Sequence, residues 1–165
     1  HGDNPGRLEA WRFGGLTLFM DYAHNPEGLA GLLEVAAASP RTGRLGLVLG
    51  QAGNREDEAI RLLADTAARF RPDRVVLKDL DGYLRGRVPG EVPELLRREL
   101  EAKGLPAERL QVVLPEEQAV QALLAWARPG DVLVLPVHGQ VAQDAVRAKL
   151  DRLEADGWNA GAPLP

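Results

Sequence analysis

Asp21, His24 and Asn25 stand within Asp21-Tyr22-Ala23-His24-Asn25-Pro26, where the apolar run Leu16-Thr17-Leu18-Phe19-Met20 meets a segment opened by proline. A carboxylate can accept from sugar hydroxyls, while an imidazole and an amide can donate to phosphate oxygens. Asp and Asn are also favoured helix caps, so the same residues have a purely structural reading. Two further polar groups follow apolar runs in the same way. Gly50-Gln51-Ala52-Gly53-Asn54-Arg55-Glu56-Asp57 is a glycine-bearing turn that can aim backbone N–H groups at an anion. Arg55 can grip a carboxylate or phosphate through two donors, or pair in solvent with Glu56 or Glu58. Lys78-Asp79, Arg85-Gly86-Arg87 and Gly90-Glu91 share a stretch of roughly a dozen residues, longer than the usual two to six or so of such connections. This stretch reads as too charged for core. Its Arg-Gly-Arg turn can wrap an anion, or its charges can pair among themselves at the surface. His138-Gly139-Gln140 follows another apolar run and can face the same cleft.

Several chemistries find no support. Gly50 is not followed by the Lys-Ser or Lys-Thr of a P-loop, and no G-x-G-x-x-G follows an apolar run. Ser39 is the only serine and lacks a G-x-S-x-G context, which argues against a Ser-His-Asp hydrolase. The three histidines are scattered, without metal-ligand spacing, and the absence of cysteine removes disulfides, thiolate sites and cysteine nucleophiles. A net charge of −4 argues against a general nucleic-acid surface, and no apolar run is long enough to span a bilayer. A soluble, cytoplasmic protein is the expectation.

The elements that must position these groups are legible from periodicity. Leu8 to Phe13 and Leu16 to Asp21 flank Gly14-Gly15, a pair suited to a two-residue hairpin. Helical spacing marks Leu29, Leu32, Leu33 and Ala36; Ile60, Leu63, Ala64 and Ala67; Val92, Leu95, Leu96 and Leu100; Val120, Leu123, Leu124 and Ala127; and Ala142, Val146, Leu150 and Leu153. Between them, strands are expected over 44–49, 74–77, 110–114 and 131–135. Such alternation implies right-handed βαβ units: a three-layer, Rossmann-like α/β domain with helices on both faces. Its sheet should be mostly parallel, of about six strands, with an antiparallel N-terminal edge strand. The polar groups after Met20, Leu49 and Leu77 then share one sheet edge, where open α/β sheets usually bind ligands. The ends, His1 to Gly6 and Asn159 to Pro165, read as linkers or tails.

The string Asp21 to Pro26 resembles the start of the C-terminal domain of the Mur ligases, ATP-dependent amide ligases that include folylpolyglutamate synthases and cyanophycin synthetase. Gly53-Asn54-Arg55-Glu56-Asp57, Lys78-Asp79, Arg85-Gly86-Arg87-Val88-Pro89-Gly90-Glu91 and the lead-in Asn4-Pro5-Gly6-Arg7 are most similar to the cyanophycin synthetase branch. The resemblance implies one C-terminal domain over 4–158. The N-terminal and central ATPase domains would lie elsewhere in a parent chain, and the central domain would hold most of the contacts to ATP and Mg2+. It implies that Asp21 binds the ATP ribose, that His24 and Asn25 lie near the phosphates and reaction centre, and that Asn54, Arg55, Arg85 and Arg87 serve the acceptor amino acid. Lys78, Asp79, Glu91 and His138 are further candidates. Asn54 stands where this branch usually has Asp; if that Asp holds a cationic acceptor, its replacement counts against arginine. The expected function is acceptor binding and closure over ATP during amide formation through an acyl phosphate, with no turnover by the isolated chain. The alternatives are a non-catalytic binding or regulatory module, or another ligase branch acting on folate or cell-wall peptides.

Overall fold

The computed structural model describes residues 8–40, 42–53, 55–80 and 84–165. The Asn4-Pro5-Gly6-Arg7 lead-in and Asn54 lie outside the described residues. Strand β1 (Glu9–Phe13) pairs antiparallel with β2 (Leu16–Asp21), with Ala10 opposite Phe19. Gly14 and Gly15 carry φ values of 59° and 84°, the left-handed pair that lets two residues reverse a hairpin.

From β2 the chain alternates. Helix α1 (Pro26–Ala38), β3 (Leu45–Leu49), α2 (Asp57–Arg69), β4 (Arg74–Leu77) and α3 (Glu91–Ala102) come first. A short 3-10 turn, β5 (Leu110–Val112), α4 (Glu116–Trp126), β6 (Val132–Pro136) and α5 (Gln140–Ala155) follow. The six strands are ordered β1-β2-β6-β3-β4-β5, and every pair except β1–β2 is parallel. This is the expected mixed sheet, with helices on both faces. The expected strand bounds hold to within about two residues, the usual uncertainty of element ends. Beyond β5 the pairing continues: Val113 N–H donates to the Leu77 carbonyl and Asp79 N–H to the Leu114 carbonyl.

Helices α1, α2 and α3 cover one face of the sheet, packing Leu33, Ile60 and Leu96 against Phe19, Leu47, Val75 and Val134. Helices α4 and α5 cover the other, packing Leu123, Leu124 and Leu150 against Leu18, Val48, Val76 and Leu133. All residues of β3 and β6 are buried, as expected of parallel strands sandwiched between helix layers. The C-terminal segment is not a loose tail. Trp158 and Ala160 are buried on the α5 side, and the Ala160 N–H donates to the Gly14 carbonyl at 3.0 Å. Apolar surface on the hairpin gives this segment a seat that composition alone did not reveal.

One consequence of the strand order matters for function. The connections leaving β2 and β3 run to one face, while the connection leaving β6, which lies between them, runs to the other. Diverging connections open a crevice above the carboxyl ends of the strands, the usual ligand position in such sheets. Among the described residues, no helix is long and apolar enough to cross a membrane.

Candidate functional site

The turns after β2, β3 and β4 and the residue after β6 converge on that crevice. Tyr22, His24, Gln51, Arg55, Arg85 and His138 line a cavity of about 240 Å³. A second hollow of about 260 Å³ lies alongside, lined by Asp21, His24, Asn25 and Gly28. His24 borders both.

Local chemistry explains how the first turn is held. Asn25 is the N-cap of α1: its Oδ1 accepts from the Gly28 N–H at 2.7 Å, with Pro26 in the first turn where a missing N–H costs nothing. The capping reading therefore holds for Asn25. Asp21 does not cap the helix. Its Oδ1 accepts from the Tyr22 N–H at 2.7 Å, which keeps the half-buried carboxylate at the rim of the second hollow. His24 is exposed, with Nδ1 3.3 Å from the Tyr22 carbonyl oxygen and its ring edge-on to Tyr22. Gln51, 4% exposed, reaches back from β3 to donate through Nε2 to the His24 carbonyl at 2.7 Å, while its Oε1 accepts from Ala52 N–H. The turn carrying Gln51 must pass close to β4: a Cβ on Gly50 would lie 2.6 Å from the Lys78 carbonyl oxygen.

The start of the third turn overturns one expectation. Lys78 and Asp79 are 0% and 3% exposed, so this charged stretch begins in the core. The reason is Glu116, a residue the sequence reading did not single out. Glu116 Oε2 lies 2.6 Å from Lys78 Nζ and accepts from the His138 N–H at 2.9 Å; Oε1 accepts from the Gly139 N–H at 3.0 Å. Burial pushes the Glu116 carboxyl up, but the Lys78 ammonium and the two amides outweigh it and hold it below its ordinary value. His138, buried beside them, is pushed down to about 3, chiefly by desolvation and then by Lys78. It is a neutral ring throughout the physiological range. A carboxylate at the first position of α4, 38 residues after Lys78, gave no local signal of this pairing.

The rest of the loop divides into structural and cavity-facing arginines. Arg87 Nε donates to the Gly53 carbonyl, Nη2 to the Arg55 carbonyl and to Asp57 Oδ1 at 2.7 Å, and Nη1 to Glu91 Oε2. Its guanidinium ties the loop to the preceding turn, and Glu91 completes the clamp. Asp79 Oδ2 accepts from the Gly90 N–H at 2.8 Å, seating the start of α3. Arg55 and Arg85 are exposed and line the cavity, and Arg85 sits at φ 53°, a left-handed conformation that non-glycine residues rarely adopt. Among the described residues, no group of three or more His, Asp or Glu gathers as a metal site.

The profile described as "Mur ligase, glutamate ligase domain" matches residues 6–136. Over 145 residues the chain is 32% identical to the UDP-N-acetylmuramoyl-L-alanyl-D-glutamate--2,6-diaminopimelate ligase of Geobacter metallireducens, a match covering 82% of this chain and 28% of that protein. Over 131 residues it is 33% identical to the cyanophycin synthetase of Crocosphaera subtropica, covering 79% of this chain and 14% of that protein. Of solved structures, a UDP-N-acetylmuramoyl-L-alanyl-D-glutamate--2,6-diaminopimelate ligase superposes with a TM-score of 0.67 at 21% identity, and E. coli FolC in complex with ADP with 0.65 at 23%. Each superposition covers 90% of this chain and 32% of the other. The chain thus spans less than a third of the length of these relatives. A match that runs from residue 6 to residue 136, through every strand and all three turns that build the cavity, makes this chain a member of the Mur ligase family, in which it corresponds to the C-terminal, glutamate ligase domain.

Proposed function

We propose that this chain, as one domain over 4–158, serves an ATP-dependent amide ligase that works through an acyl phosphate. The observation that carries the reading is the pair of hollows sharing His24: one bordered by the Asp21 carboxylate, the other by Arg55 and Arg85. Asp21, already oriented by the Tyr22 N–H, has the chemistry to accept from ribose hydroxyls. Arg55 and Arg85 have the chemistry to hold the carboxylate of an acceptor amino acid. His24, at the border, can donate to phosphate oxygens as charge develops on them. Asn25 supports this arrangement by capping α1, and Arg87 with Glu91 by holding the acceptor loop in place.

In this reading the substrate carboxylate displaces ADP from the γ-phosphate of ATP. The acceptor amine then attacks the acyl carbon, phosphate leaves, and the amine loses its proton. The phosphate-binding loop and Mg2+ are assigned to a central ATPase domain of the parent chain, an enzyme of the cytoplasm where ATP is supplied. Within the family we favour a cyanophycin-synthetase-like branch, because its Arg-Gly-Arg and Gly-Glu pattern is matched here by Arg85-Gly86-Arg87 and Gly90-Glu91, of which Arg87 and Glu91 pair with each other.

The test is ADP release and product mass for the full-length parent, offered ATP, an aspartate-rich peptide and each amino acid in turn. Arginine-dependent product supports the branch. Dependence on another acceptor keeps the ligase and moves its substrate, and absence of ADP release with every acceptor leaves a non-catalytic binding module as the better reading.

A further inference from the structure

The buried network of Lys78, Glu116 and His138 joins the ends of β4 and β6 to the start of α4, and none of the roles proposed for the cavity residues calls for it. An ammonium has donors only. With Lys78 Nζ 3.4 Å from His138 Nδ1, that nitrogen must accept, so the ring proton sits on Nε2 and donates to the Ala23 carbonyl at 2.6 Å. Glu116 sets this up from two sides: it holds the ammonium, and it holds the backbone N–H groups of His138 and Gly139. Ala23 directly precedes His24, whose own carbonyl is held by Gln51. Two successive carbonyls of the turn that displays His24 are thus fixed from inside the protein.

We propose that Glu116 is a positioning residue for His24: through Lys78 it selects the Nε2–H tautomer of His138, and through His138 it sets the Ala23 carbonyl from which His24 is displayed over the cavity. The groups facing His138 are Lys78 from the end of β4, Glu116 from the start of α4, and Tyr22 and His24 from the turn after β2. Only the turnover part of the test rests on the ligase reading.

The decisive measurement is nitrogen-15 NMR of the histidine rings in this chain. The wild type should show His138 as a single Nε2–H tautomer that does not titrate between about pH 5 and 8. Glu116→Gln should mix the His138 tautomers and shift the His24 resonances. Should Glu116→Gln fail to fold, Lys78→Met with Glu116→Gln removes both buried charges together and should release the tautomer in the same way. A wild-type His138 protonated on Nδ1, or a His138 tautomer and His24 resonances untouched in the variants, overturns the proposal. In the full-length parent, Glu116→Gln should lower kcat on the order of tenfold or more while leaving the KM for ATP nearly unchanged, since misplacing a group near the reaction centre costs rate. Unchanged kcat in a parent where His24→Ala does lower kcat also overturns it, whereas unchanged kcat in both variants strikes the role proposed for His24 instead. A wild-type parent that releases no ADP strikes the ligase reading instead, and the ring spectra then decide this proposal alone.

Discussion

At the scale of single residues, the network around His138 makes stability depend on pH in a definite direction. In the folded chain His138 titrates at about 3, against an ordinary value of 6.5 when exposed. Below about 6.5 the unfolded chain takes up a proton that the folded chain refuses, so this contribution is complete at neutral pH and is lost as pH falls toward 3. The slope is about 1.4 kcal/mol per pH unit for one proton. Glu116 acts in the same direction, because its folded carboxyl is held below its ordinary value and the unfolded chain protonates first. Urea midpoints measured from pH 7 to pH 4 should fall steadily, and His138→Gln should flatten the part between pH 6.5 and 5; an unchanged slope in that variant would sink the assignment. Lys78→Met alone should cost about 3–5 kcal/mol, the penalty of leaving the Glu116 carboxylate buried without its cation. Asp21, His24, Arg55 and His138 were legible as chemistry-bearing residues because each belongs to a polar segment that follows an apolar run. Glu116 was not, because its meaning comes from a lysine that follows β4, 38 residues earlier in the chain.

At the scale of elements, two side-by-side loops act as one unit. Arg87 bridges from the loop before α3 to Gly53, Arg55 and Asp57. Gly53 packs so closely under that loop that an added Cβ would overlap the Leu84 carbonyl. Arg87→Ala should therefore cost about 1.5–3 kcal/mol, the range for lost bonds to charged groups, and raise amide exchange at Gly90 without opening the central strands. Gly53→Ala should loosen the same contact. The double variant should then destabilise by less than the two single changes combined, since both act on one junction; strict additivity would show that the loops are independent. The sequence showed the hairpin through Gly14-Gly15 and the start of α1 through Asn25-Pro26, where local residue types dictate geometry. It did not show which arginine of the Arg-Gly-Arg turn faces the cavity. Arg87 is consumed by Asp57 and Glu91, and that division depends on how two loops meet.

At the scale of the whole molecule, alternating periodicity announced a mostly parallel sheet but not that β6 would insert between β2 and β3. That placement is a long-range event, and it brings His138 to the turn carrying His24. The same placement puts the two hollows next to each other, and this predicts how kinetic parameters should separate in the full-length parent. Asp21 borders only the hollow proposed for the nucleotide, so Asp21→Ala should raise the KM for ATP on the order of tenfold, about 1.4 kcal/mol of binding, and leave the KM for the acceptor nearly unchanged. Arg55 borders only the hollow proposed for the acceptor, so Arg55→Ala should do the reverse. His24 borders both and should act on kcat, because a donor aimed at developing charge is stronger in the transition state than with either ground state. If Asp21→Ala and Arg55→Ala raised both KM values together, the two hollows would be one site. If His24→Ala left kcat intact, the border between them would not be where the chemistry occurs.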